Sequence, residues 1–107
     1  MLFLHNYFIK VRGLRPVLED ELDSIQFLQE IDCKINVIGT KRDFAPGKEL
    51  LIYRIAQEAI HNITKHAKAT KISISLNYES DIFTMSIEDN GVAEFKRQMQ
   101  HYVNLII

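Results

Sequence analysis

The chain is poor in the residues that would cross-link, punctuate or segment it. A single cysteine, Cys33, stands among 107 residues, so no internal disulfide can form and no thiolate cluster can hold a metal; that usage fits a reducing compartment. Two prolines and four glycines make no linker, and no repeat or low-complexity tract divides the sequence, which reads as one small domain. An excess of charge of one sign is missing too. Thirteen lysines and arginines face fourteen acidic residues, for a formal net charge of -1, which removes the electrostatic footprint of a nucleic-acid or anionic-membrane binder. Long hydrophobic runs are also absent. Residues 1–12 carry Leu2, Phe3, Leu4, Tyr7, Phe8 and Ile9, but His5, Asn6 and Lys10 interrupt them well short of the roughly 20 residues a bilayer span needs. Without a basic leader and a small-residue cleavage site, no secretory signal is expected. This segment reads as the end of a preceding helix or linker.

What is present is an apolar content of 47%, enough for a core, arranged with clear periodicity. Pro16, in Gly13-Leu14-Arg15-Pro16, suits the first turn of a helix, where its missing donor is not needed. The spacing predicts a helix to about Ile31, with Leu18, Leu22, Ile25 and Leu28 as one buried stripe. Lys34–Val37 alternates as a strand does, with Cys33 as a buried strand residue and Gly39 ending it. After a loop over Thr40–Pro46, a second helix is expected from Gly47 to His66. At about 100° per residue, Ile52, Ile55, Ala56, Ala59, Ile63 and Ala67 share one sector, and Glu58, Asn62 and His66 line its border half-sheltered. Two alternating strands follow, one on Ile72, Ile74, Leu76 and Tyr78 and one on Phe83, Met85 and Ile87, joined by a Glu79-Ser80-Asp81 turn. The order helix, strand, helix, strand, strand implies a two-layer α/β sandwich with helices on one face of a mixed sheet.

Chemistry concentrates in two places. Along the second helix, the Asn62 amide oxygen and the Glu58 carboxylate one turn before it are hard ligands of the kind Mg²⁺ accepts, with the Lys65 ammonium and His66 close by to meet phosphate. Read alone, the same residues make a solvated helix face. At the end of the last strand, Ile87-Glu88-Asp89-Asn90-Gly91 offers a carboxylate that can accept from an exocyclic amine, and a glycine able to take positive φ. An ordinary Asp-Asn-Gly turn explains those residues equally well. A P-loop at Gly47-Lys48 is excluded, because Glu49 stands where Ser or Thr would hold Mg²⁺. A zinc site on His61 and His66 fails because five residues separate the rings by about 140° on a helix.

Together and in order, Arg54-Ile55-Ala56-Gln57-Glu58-Ala59, Asn62, Lys65-His66-Ala67-Lys68-Ala69-Thr70 and Asp89-Asn90-Gly91 closely resemble the N box and G1 box of sensor histidine kinases. With Leu14-Arg15-Pro16 upstream, the chain looks like the ATP-binding domain, of the Bergerat or GHKL ATPase type, from the subfamily of nitrate sensors and DesK. The resemblance covers roughly residues 12 to 91. It implies ATP and Mg²⁺ as cofactors: Asn62 coordinates the metal, Glu58 orients the water network around it as the catalytic residue, and Lys65 and His66 lie near the phosphates. Asp89 would read the adenine amino group, and Gly91 would let the backbone pass close to the base. The partners it implies are a dimerisation and phosphoacceptor domain carrying the receiving histidine, and a response regulator, in a cytoplasmic setting with any membrane anchor outside this chain.

The departures from the pattern limit that reading. Ala93 stands where a second glycine is expected, and nothing after Phe95 resembles the lid or the later glycine-rich box. The ATPase portion is therefore placed at residues 13–95 and treated as incomplete at its C-terminal end. Residues 96–107 form an atypical tail, in which Met99, Val103 and Ile106 continue from Phe95 at helical spacing. No phosphoacceptor helix is recognisable, since neither His5 nor His101 has the required surroundings, so the chain is not expected to autophosphorylate alone. The alternative reading is a non-catalytic fragment acting through protein contacts, with an open sheet edge that invites a homodimer.

Overall fold

The computed structural model describes residues 12–45 and 47–91, together with the backbone of 101–106. The first helix, α1, spans Leu14–Gln29, with Pro16 in its opening turn as expected and Gly13 before it at φ 91. Leu14, Val17, Leu18 and Leu22 are buried, and Ile25 packs partly against them. The expected stripe fails at Leu28, which is 75% exposed beside Phe27 at 85%. The whole turn from Gln26 to Glu30 is exposed, so the helix overhangs the layer it packs on before Glu30 turns the chain at φ 55.

Four strands form one sheet in the order β1-β2-β3-β4: β1 Asp32–Gly39, β2 Lys71–Tyr78, β3 Ile82–Asp89 and β4 His101–Ile106. β1 runs parallel to β2, with Cys33 beside Ile72, whereas β2 and β3 are antiparallel, with Leu76 beside Met85. A parallel neighbour requires a crossover, and the second helix, α2 at Lys48–Asn62, provides it. The architecture is thus the two-layer α/β sandwich, with helices against one face of a mixed sheet. Alternation decides which face. Ile72, Ile74, Leu76 and Tyr78 of β2 and Phe83, Met85 and Ile87 of β3 are buried, while Ser73, Ser75, Asn77, Thr84 and Ser86 occupy the other face at intermediate exposure. Each large buried side chain contributes about 1.5–3 kcal/mol by leaving water.

Two expectations about this frame are corrected. Helical spacing in the tail does not produce a helix at its end, because His101–Ile106 pairs antiparallel with β3, Val103 beside Met85. The unpaired N–H and C=O groups of β3 give a strand there more than a helix could, and they override the periodicity. Phe95 and Met99 lie outside the described residues. Cys33 is half-buried rather than buried, because β1 is an edge strand and its inward side chains Cys33, Ile35 and Val37 are covered on one flank only. Its N–H donates to the Gln26 side-chain oxygen at 3.0 Å. Burial, and then the charges of Asp32 and Asp23, push the thiol pKa up, so this cysteine stays protonated and a poor nucleophile.

α2 buries Ile52, Tyr53, Ala56, Ala59 and Ile60. Ile55, assigned to the apolar sector, is exposed, and Tyr53 and Ile60 fill the interface instead. The Tyr53 hydroxyl donates to Glu21 at 3.3 Å and accepts from the Gln57 amide at 3.3 Å, joining α2 to α1. Burial, followed by the charge and hydrogen bond of Glu21, raises the Tyr53 pKa to about 12. At the far end of the sheet, Phe44, Tyr78 and Phe83 form an aromatic trio, with the Phe44 and Phe83 rings edge to face at 5.0 Å. Gly39 ends β1 there at φ 84, against a backbone that would lie 2.1 Å from any Cβ at this position.

Candidate nucleotide site

Both motif segments end on the same side of the fold. α2 finishes at Asn62 and continues into a π-helical turn, Ile63–Ala67, which closes at Lys68 in the left-handed conformation with φ 52. Single π turns inside α-helices often mark functional positions. This one changes the angular step just where Lys65 and His66 sit. Asn62 is half-sheltered, as expected, but Glu58 and His66 are exposed, and so is Lys65. The border of the apolar sector therefore shelters one of its three polar residues, because α2 is covered along a narrower face than a uniform wheel implies.

Strand alternation sends Asp89 to the helix-covered side with Met85 and Ile87, and it is half-buried there. Asp89 Oδ1 accepts from the Gly91 N–H at 2.6 Å, a tight local turn. The requirement for glycine at 91 has a different origin from the one expected. Its φ is not in the left-handed region; proximity is what excludes a side chain. A Cβ at 91 would lie 2.3 Å from the Ala67 carbonyl oxygen and 2.6 Å from the Ala67 Cβ. The end of the π turn and the Asp89–Gly91 turn are thus in direct contact, which brings the two motifs together.

Asn90 is the residue that motif reading passed over. Its Oδ1 accepts from the Thr70 and Lys71 backbone N–H groups at 2.8 and 2.9 Å, and its Nδ2 donates to Thr70 Oγ1 at 2.8 Å. The signal available in the sequence was its position in the turn, which suggested only local hydrogen bonding.

Two surface cavities border these elements. One, of about 260 Å³, includes Lys34, Lys71, Ser73, Glu88 and Asp89, most of which belong to the polar face of the sheet. The other, of about 380 Å³, lies between α1 and α2 and includes Glu21, Ile25, Gln57, Glu58 and His61. Neither brings Asn62 and Asp89 together. Among the described residues no cluster of three or more His, Cys, Asp or Glu side chains could hold a metal. An ion at Asn62 would therefore rely on the amide, retained waters and phosphate oxygens, which is a donor set Mg²⁺ accepts. No helix among the described residues is long and apolar enough to cross a membrane.

No protein-family model matches the chain. Its curated relatives are sensor histidine kinases. It is 30% identical over 91 residues to sensor histidine kinase LiaS of Bacillus subtilis, a match that takes in 85% of this chain and 25% of the relative. Against the signal transduction histidine-protein kinase/phosphatase DegS of Brevibacillus brevis it is 32% identical over 79 residues, 74% of this chain and 20% of that protein. Sensor protein VraS of Staphylococcus epidermidis is 40% identical over 93 residues, covering 85% of this chain and 26% of its own length. The chain is a histidine-kinase-related domain, and it spans about a quarter of the length of the curated relatives it matches.

Proposed function

We propose that the chain is the ATP-binding portion of a sensor histidine kinase of the GHKL type, close to the nitrate-sensor and DesK subfamily, and that it positions Mg·ATP for transfer of the γ-phosphoryl group to a histidine on a separate dimerisation domain. The observation that carries this reading is the contact between Gly91 and Ala67. It sets a carboxylate able to accept from adenine beside the helix end that bears Asn62, Lys65 and His66. Such a domain stabilises transferring phosphate by position and charge rather than by covalent chemistry. Asn62 would hold Mg²⁺, the metal would screen the phosphate charge, and Glu58, exposed to solvent, would order water or the incoming acceptor. The partners in this reading are the phosphoacceptor domain and a response regulator, and the setting is cytoplasmic.

The test is a calorimetric titration of Mg·ATP into the purified chain and into Asn62→Ala and Asp89→Asn variants. Saturable binding that weakens at least tenfold in both supports the site. A folded wild-type chain that gives no binding heat, or variants that bind as well as it does, defeats the proposal.

A second reading, association with another copy, is favoured by one observation: Phe27 and Leu28 lie exposed at the end of α1 next to β1, the edge strand. Edge strands and exposed apolar groups together invite pairing. Sedimentation at increasing concentration distinguishes the two readings. A dimer indifferent to ATP and abolished by Phe27→Lys supports association, and a monomer at all concentrations rules it out.

A further inference from the structure

We infer that Asn90 is a positioning residue for recognition of the adenine amino group: its side chain fixes the turn that aims the Asp89 carboxylate. The inference rests on the nucleotide reading above and assigns a role within that site.

An asparagine in an Asp-Asn-Gly turn ordinarily bonds backbone within its own turn. Here that local task belongs to Asp89, whose Oδ1 accepts from the Gly91 N–H at 2.6 Å. Asn90 instead reaches the start of β2, and its amide is used on both sides. The oxygen accepts from the Thr70 and Lys71 N–H groups, and the nitrogen donates to the Thr70 hydroxyl. The Asn90 N–H adds a fourth bond to the Lys71 carbonyl at 3.3 Å. An amide oxygen with two donors is saturated, and a carbonyl-plus-amine group is the one neutral side chain that could make this set.

The geometry has a direct consequence for Asp89. Thr70 follows closely on Lys68, the residue that terminates the π turn, so one side chain ties the end of the helix segment to the end of β3. Asp89 and Gly91 flank Asn90 in sequence and cannot shift along the helix end while those bonds hold. Of the two Asp89 oxygens, Oδ1 is committed to the turn and Oδ2 has no partner among the described residues. The carboxylate is therefore held by one oxygen and presents the other. That arrangement suits a single N–H donor on a half-buried planar ligand, which is what an exocyclic amine provides.

Because Asn90 is exposed, its bonds satisfy no buried group, and their loss leaves the core intact. The experiment compares the affinities of Mg·ATP and of Mg·purine riboside triphosphate, which lacks the amino group, by calorimetry. The wild-type chain should prefer ATP by about tenfold, the scale expected when a polar group in a site loses its partner. Asn90→Ala should lose that preference while binding the analogue within about twofold of wild type. Asn90→Asp should keep it, because one carboxylate oxygen accepts the same two N–H bonds and the Thr70 O–H can turn to donate to the other. Should Asn90→Ala fail to fold, Thr70→Val removes the hydroxyl bond alone, and the same ratio should fall by about threefold. An Asn90→Ala chain that still prefers ATP overturns the positioning role and leaves the nucleotide reading standing. Equal weakening toward both nucleotides overturns it in favour of a scaffold role. A wild-type chain that binds neither nucleotide overturns both.

Discussion

Gly91 sits against Ala67 so closely that a methyl group added to the glycine would lie 2.6 Å from the alanine methyl and 2.3 Å from the alanine carbonyl oxygen. The obstacle is backbone, which cannot rotate away as a long side chain can. Gly91→Ala is therefore expected to destabilise the chain by about 1–3 kcal/mol, the usual cost of overpacking, with a lower thermal midpoint in circular dichroism. A midpoint unchanged within error would mean that the two segments are not held together in solution.

Tyr53 supplies a pH prediction. Its hydroxyl pKa rises from 10.0 to about 12 in the fold, so the folded chain holds the proton more tightly than the unfolded one does. The stabilisation is complete below the unfolded pKa and is lost as pH climbs toward the folded value. Urea midpoints should fall between pH 10 and about 12, and Tyr53→Phe should flatten that fall. A parallel decline in the variant would assign the effect to other groups.

Phe83 carries much of the sheet's apolar load, being fully buried and in ring contact with both Phe44 and Tyr78. Phe83→Ala should cost about 3–5 kcal/mol, comparable with the entire stability of a marginal domain. Loss of the cooperative unfolding transition is the expected readout, and Phe83→Leu should retain it at a lower midpoint.

At the opposite extreme, Phe27 and Leu28 are expected to be replaceable. Both are mostly solvent-exposed, so the double substitution to lysine should change stability by no more than about 0.5 kcal/mol. A loss of several kcal/mol in chemical denaturation would show that this turn is covered in the folded chain.

The strands were the most legible elements, because Ile72 to Tyr78 and Phe83 to Ile87 alternate without interruption and a two-layer fold buries one side only. Pro16 marked the start of α1 and Gly39 the end of β1 correctly, for local reasons. Leu28 and Ile55 misled, since periodicity records which residues share a face and not how far the neighbouring layer extends. Val103 and Ile106 misled for a related reason: helical spacing in a short segment lost to the unpaired edge of β3. The two motif segments that carry Asn62 and Asp89 were recognisable in order, yet the contact between the segments was not. It depends on Gly91 touching Ala67 and on Asn90 reaching Thr70, contacts between residues about 20 positions apart that composition and spacing cannot encode.

The β2–β3 hairpin is closed at one end by its turn, where the Glu79 N–H meets the Ile82 carbonyl at 2.9 Å, and Arg42 reaches the Ser80 carbonyl. Its other end is open, and paired strands fray from open ends first. Asn90 stitches that end, so the proposed nucleotide site lies where side-chain bonds rather than a turn hold the hairpin together. A ligand bound there would slow amide hydrogen exchange at Thr70, Lys71 and Gly91 before it slowed exchange anywhere in the core, making the site a gauge of its own occupancy.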